Sequence, residues 1–198
     1  MFSWNEKYLP FPPICTYKAV NSNIDFNYLL SLCTECQDYL DNNKHLEAEY
    51  LVLSRIVYRM KQKFRTSKDF KTLEKLCKCL RVYLDINLSF HLMRFIELIP
   101  TNIEKEMYIP SKNLLDYILI RLLSMKKLLE KVSVNCVQAA HLYSFRIKSG
   151  QFWKVAFCVY SLVSRIDVLT KHSEKEVSRF YEKLKEFSKG YSVNENNK

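Results

Sequence analysis

Two glycines and five prolines in 198 residues leave little room for tight turns. A β-sandwich or barrel of many short strands needs turn residues every few positions, so the scarcity makes all-α the default class. The same two glycines cannot build a phosphate-binding Walker loop or a dinucleotide fingerprint, and Gly150-Gln151-Phe152-Trp153 lacks the serine of a nucleophile elbow. No HExxH pattern accompanies the four histidines, His45, His91, His141 and His172, so metal catalysis has no visible basis. No catalytic residue, cofactor or small-molecule substrate is expected, and the chain reads as a non-enzyme. Long apolar runs are missing too. The richest stretch, Gln151–Thr170, contains Lys154, Arg165 and Asp167, which excludes a membrane span on insertion cost. MFSWNEKYLP has no apolar core of a secretory leader, so the seven cysteines are expected as free thiols of a reducing compartment, nucleus or cytosol.

What is present is apolar and basic. Hydrophobic residues make up 48% of the chain and aromatics 14%, enough to exclude disorder for most of it. Lys and Arg number 31 against 21 Asp and Glu, a net charge of +10, which favours an anionic partner.

Apolar residues at steps of three and four mark the helices. The expected helices run from Asp25 to about Asn43, over 46–64, over 68–84 with Ser67 as N-cap, and from Asn87 or Ser89 through Phe90, Met93, Ile96 and Glu97 to Ile99, ended by Pro100. The longest opens at Pro110-Ser111, where Leu115, Ile118, Leu122, Met125, Leu129, Val132, Cys136 and Ala139 keep one register to the Ser149-Gly150 stop. A bend or break is expected at Val132–Asn135. Gln151–Thr170 has apolar residues around most of its circumference, including Phe152, Trp153, Phe157 and Tyr160, and is expected as the enclosed central helix. A further helix, 173–189, follows His172 and ends at Gly190, leaving 191–198 as frayed tail. The architecture expected is therefore an all-α bundle of about six or seven helices in one domain, 1–190. It comprises an extended N-terminal arm (1–23), a basic half (24–99), a linker (100–109) and an apolar half (110–190).

Three sites stand out. Cys33-Thr34-Glu35-Cys36 is a CxxC, but a zinc site needs a second pair, and Cys77-Lys78-Cys79 diverges on a helix, so these thiols are expected in the core rather than on a metal. Trp4, Tyr8 and Phe11 put too many large apolar groups in the arm for a free tail; they are expected to lie across the bundle or to dock a partner. The third site is the hairpin of the second and third helices, where Arg55, Arg59, Lys61, Lys63, Arg65, Lys68, Lys71, Lys75, Lys78 and Arg81 face only Asp69 and Glu74, ten against two, a net of +8. Such a run is either a solvated face or an anion-binding surface. Glutamates interleaved at i, i+4 are missing, which favours binding. Tyr58, Phe64 and Phe70 are candidate stacking platforms for single-stranded bases.

The order of short features resembles the N-terminal domain of the nucleolus and neural progenitor protein (Nepro) family. It is carried by Trp4-Asn5 followed by Pro10, Leu32-Cys33, the basic hairpin from Tyr58 to Leu80, Met107-Tyr108-Ile109-Pro110-Ser111, and Leu162-Val163-Ser164-Arg165 with Val168-Leu169. Where the family tends to have Asn and His ahead of the hairpin arginine, this chain reads Arg59-Met60-Lys61-Gln62-Lys63-Phe64-Arg65. The resemblance implies likeness to the protein subunit that distinguishes RNase MRP. It further implies a nuclear and nucleolar RNA-binding scaffold for pre-ribosomal RNA processing, with that RNA and its protein subunits as partners, and a link to neural progenitor maintenance and Notch signalling. The alternative is a protein-interaction or transcriptional-regulatory helical module.

Overall fold

In the computed structural model, residues 9–13, 15–20, 25–100 and 106–195 are described, with side chains left aside at 18–20, 106–107 and 189–195. The elements in order are β1 (Thr16–Val20), α1 (Phe26–Asn42), α2 (His45–Phe64), α3 (Lys68–Leu84), α4 (Leu88–Ile96), β2 (Glu106–Pro110), α5 (Lys112–Lys148) and α6 (Trp153–Glu195). The protein is overwhelmingly helical. The chain forms two compact units, one from Met1–Asn43, Ile86–Ser124 and Val177–Lys198, the other from Lys44–Asp85 and Met125–Glu176. The boundaries fall within α5 and α6 and at the ends of α1 and α3, rather than at the expected linker between halves.

The first unit is held by apolar burial and by one short ribbon. Asp25 caps α1, its carboxylate accepting from the Tyr28 amide at 3.0 Å, and Phe26, Leu29, Leu32, Cys33 and Cys36 then fill the inward face. α4 packs on α1, and the Ser89 hydroxyl donates to Asp41 at 2.7 Å. The buried residues of α4 are Leu88, Leu92 and Phe95, while Phe90 and Met93 are turned outward. With six of nine residues in LSFHLMRFI apolar, periodicity could not select the register. The two strands are not among the elements expected from the sequence. β1 pairs antiparallel with β2, Thr16 opposite Pro110 and Tyr17 opposite Ile109, so part of the expected arm and the end of the expected linker form a ribbon. The Ser111 amide extends the ribbon by donating to the Cys15 carbonyl at 2.7 Å, while the Ser111 hydroxyl accepts from the Leu114 amide at 3.2 Å and starts α5. Toward the end of α6, Val177, Phe180 and Leu184 are buried, Tyr39 and Phe180 lie 6.0 Å apart, and Arg179 pairs with Glu35 at 2.8 Å.

In the second unit α2 and α3 form an antiparallel hairpin with Leu53, Met60, Leu73, Leu76 and Leu80 inside. Two ion pairs tie it to the long helices. Asp69 of α3 pairs with Arg146 of α5, whose Nη2 donates to Oδ1 at 3.0 Å while Nε lies beside Oδ2 without a hydrogen bond; Glu49 of α2 takes Arg165 of α6 at 2.7 Å. All eight residues of the α5 register are buried, each leucine contributing about 1.5–3 kcal/mol. The helix carries no break at Val132–Asn135, where the Asn135 amide turns back to the Lys131 carbonyl at 2.9 Å.

Three expectations for the C-terminal region are corrected. Gln151–Thr170 is not an enclosed central helix: Ala156, Val159, Leu162, Val163 and Ile166 are buried, but Trp153, Val155, Phe157 and Tyr160 are exposed. Neither is it separate from the helix after His172, because α6 runs unbroken through a segment with no glycine or proline and with Thr170 and Ser173 fully buried. Nor does Gly190 stop it; the helix reaches Glu195, and one helical glycine costs only about 1 kcal/mol. The α5–α6 turn needs left-handed backbone at Gly150 (φ +71°), and Phe152 adopts it as well (φ +49°), held by edge-on packing against Phe64 at 5.3 Å.

Candidate nucleic-acid interface

The ten cations picked out from the hairpin sequence are all solvent-exposed, and Arg81 alone among them has a carboxylate partner within the described residues, Asp85 at a marginal 4.0 Å. Helix geometry explains the exposure. The leucines of α2 and α3 take the inward stripe, which leaves Lys68, Lys71, Lys75 and Lys78 on one outer face of α3 and Arg55, Arg59 and Lys63 on one outer face of α2. Asp69, one of the two carboxylates in this segment, is turned inward to Arg146, so it does not offset the surface charge.

The three candidate platforms separate. Tyr58 is 81% exposed on the arginine face, in position to stack a base. Phe70 is fully buried and is removed from the site. Phe64 is half-buried beneath the Arg146 guanidinium at 5.1 Å, and the Lys63 ammonium sits 4.2 Å above Phe152. Leu51 and Val52, both exposed beside Arg55 and Tyr58, were not picked out from sequence. They occupy the positions three and four residues before Arg55, which would have flagged them as a second apolar stripe opposite the seam.

The other candidates fall elsewhere. Phe11 lies in the first unit, half-buried, with its ring 5.4 Å from Tyr117 and the Arg94 guanidinium 5.4 Å above it; Trp4 and Tyr8 lie outside the described residues. Of the cations on α5, Arg121 is buried, donating to the Tyr117 hydroxyl and the Leu9 carbonyl, and Lys127 is paired with Glu130. Neither offers a free cation to a phosphate. Cys33 and Cys36 are buried, and burial raises both thiols, Cys36 to about 12, so neither presents a thiolate near neutral pH. Among the described residues no group of three or more His, Cys, Asp and Glu could hold a metal ion, and no helix is long and apolar enough to cross a membrane.

Exposed cations on a helical hairpin with a solvent-facing tyrosine, above a leucine core, define a basic all-α domain. Residues 4–185 match the family described as nucleolus and neural progenitor protein, N-terminal, and the chain belongs to that family. The family's name is that of a nucleolar protein. No curated protein and no solved structure matches the chain.

Proposed function

We propose that the chain is a non-catalytic RNA-binding and scaffolding subunit of an RNase MRP-like ribonucleoprotein, working in the nucleolus on pre-ribosomal RNA. The observation that carries this reading is the exposure of all ten hairpin cations, nine of them without a carboxylate partner among the described residues. Lysines and arginines without a carboxylate partner can neutralise RNA phosphates, and the cations condensed on those phosphates are then released, which drives binding. The lysines contact phosphate and carry no base code. Selectivity in this reading comes from RNA shape and from bases stacked on Tyr58. Catalysis in such a particle belongs to RNA, and the protein supplies placement; the family's link to neural progenitors and Notch signalling is then a downstream effect of ribosome production.

Sequencing of RNA recovered with the tagged chain tests this: one RNase-type RNA should dominate, and should be lost on reversal of Lys71, Lys75 and Lys78 to glutamate. A broad background of RNA with a defined set of proteins would instead support the interaction-module reading. That reading is favoured by Leu51 and Val52 standing exposed one turn before Arg55, since aliphatic groups bind protein better than bases.

A further inference from the structure

The first turns of α6 hold three rings in water on one face. Ala156, Val159, Val163 and Ile166 take the buried arc of the helix, and Trp153, Phe157 and Tyr160, at steps of four and three, share an arc outside it, 55%, 57% and 37% exposed. A row of rings on a helix whose core face is already filled marks a contact surface. The charges beside that row are of one sign. Lys154 places its ammonium 5.8 Å from the Trp153 ring, and Lys63 of α2 stands 4.2 Å over Phe152, which packs edge-on against Phe64 at 5.3 Å and joins the start of the row to the basic hairpin. From Lys131 to Ile166, and again from Arg55 to Lys68, the chain contains no Asp or Glu at all. Lys63, Lys148 and Lys154 have no carboxylate partner among the described residues.

We propose that Trp153, Phe157 and Tyr160 form a stacking platform for the unpaired bases of single-stranded RNA, with Lys63 and Lys154 on its phosphates. The inference rests on the RNA-binding reading above and adds where the bases are held. Rings give every base a face to stack on, and unpartnered cations beside them supply the phosphate half of the same nucleotide. Neighbouring rungs on one helix face lie about 5–6 Å apart at Cβ, wider than the ~3.4 Å step of a strand in a duplex, so a strand running from ring to ring has its bases parted from one another. An acidic protein fits less well, because the free cations here are lysines, which protein interfaces deplete. A lipid surface fits less well again, since the family is named for the nucleolus, a compartment of RNA and protein with no bilayer of its own.

Trp153 is its own reporter. In the full chain with Trp4→Phe it is the one tryptophan left, and titration with an unstructured RNA about 12 nucleotides long should quench its emission saturably, whereas an abasic strand with the same number of phosphates should not. Trp153→Leu with Phe157→Leu, followed by anisotropy of the labelled RNA, should weaken binding by roughly ten- to a hundredfold and leave the slope of log affinity against log salt unchanged, because bases are lost and phosphate contacts kept. The melting curve should stay in place, since both rings already face water, and Trp153→Phe, which keeps a ring, should retain most of the affinity. Reversal of Lys71, Lys75 and Lys78 to glutamate should instead lower affinity and flatten the slope. Equal quenching by the abasic strand, or unaltered RNA affinity in the double variant, overturns the platform and leaves the RNA reading standing. No binding of any RNA by the parent chain overturns both, and tighter binding with stronger quenching by a glutamate-rich peptide than by the RNA gives the rings to a protein partner and overturns the platform.

Discussion

The two units use the same residue types for opposite purposes. The unit of Lys44–Asp85 and Met125–Glu176 holds 20 of the 31 Lys and Arg and 9 of the 21 Asp and Glu, a net of +11, which leaves −1 for the other. Among the described residues it also holds 13 of the 17 exposed large apolar side chains. In the near-neutral unit the arginines are spent internally. Arg94 lies over Phe11 and Phe90, Arg121 is buried beside Tyr117, and Arg179 is paired with Glu35. One unit closes on itself while the other presents charge and apolar surface together, so the overall +10 understates how concentrated the positive field is.

The largest test of that contrast is structural. Asp69→Ala should cost about 3–5 kcal/mol in urea unfolding, because it strands the largely buried Arg146 guanidinium. A loss below about 1 kcal/mol would show that water reaches the pair. Next comes the surface. If Lys71, Lys75 and Lys78 each touch a phosphate, their reversal to glutamate should flatten the slope of log affinity against log salt by about 2 and lower affinity about a hundredfold near 0.1 M salt. The matched control, Lys183 and Lys185 of the near-neutral unit reversed to glutamate, should leave RNA titrations unchanged.

A smaller effect lies in pH. Burial, then the charges of Arg121 and Arg94, lower the pKa of His91 in the near-neutral unit, so the unfolded chain takes up this proton first. Its contribution to stability is complete above the ordinary histidine value of about 6.5 and falls away as the medium turns more acid. His91→Phe should blunt that acid loss in thermal melts followed from about pH 7 to about pH 5. An unchanged acid limb would place the sensitivity elsewhere. The smallest effect belongs to the exposed Arg179–Glu35 pair, where Glu35→Ala should shift unfolding by about 0–1 kcal/mol, against several for Asp69.

Much of this contrast was legible in the residues. The α5 register held at all eight positions because steps of three and four over several turns leave a helix no other way to bury its leucines. The basic hairpin was legible for a related reason: lysines opposite a leucine stripe have nowhere to go but water. The ribbon was not, since Thr16 and Pro110 meet from opposite sides of four helices and neither strand announces its partner. The α6 surface was misread because apolar content states what a helix could bury, not what covers it; Phe157 and Val168 look the same in sequence whether a neighbour is present or absent. Phe70 was misjudged as a platform for the converse reason, its place beside Asp69 concealing that both turn inward.

The division of α5 and α6 between the units also orders events during synthesis. The basic unit has all its residues once Glu176 has been added, whereas α1, made early, meets Phe180 and Arg179 only after the last part of α6 emerges. Until then Leu29, Leu32, Cys33 and Cys36 lack part of their cover, a sticky apolar stripe on a nascent chain. A chain cut after Glu176 and tethered to the ribosome by a linker long enough to clear the exit tunnel should therefore carry a protease-resistant basic unit beside an α1 that holdase chaperones still bind, and adding the final segment ahead of that linker should end the binding.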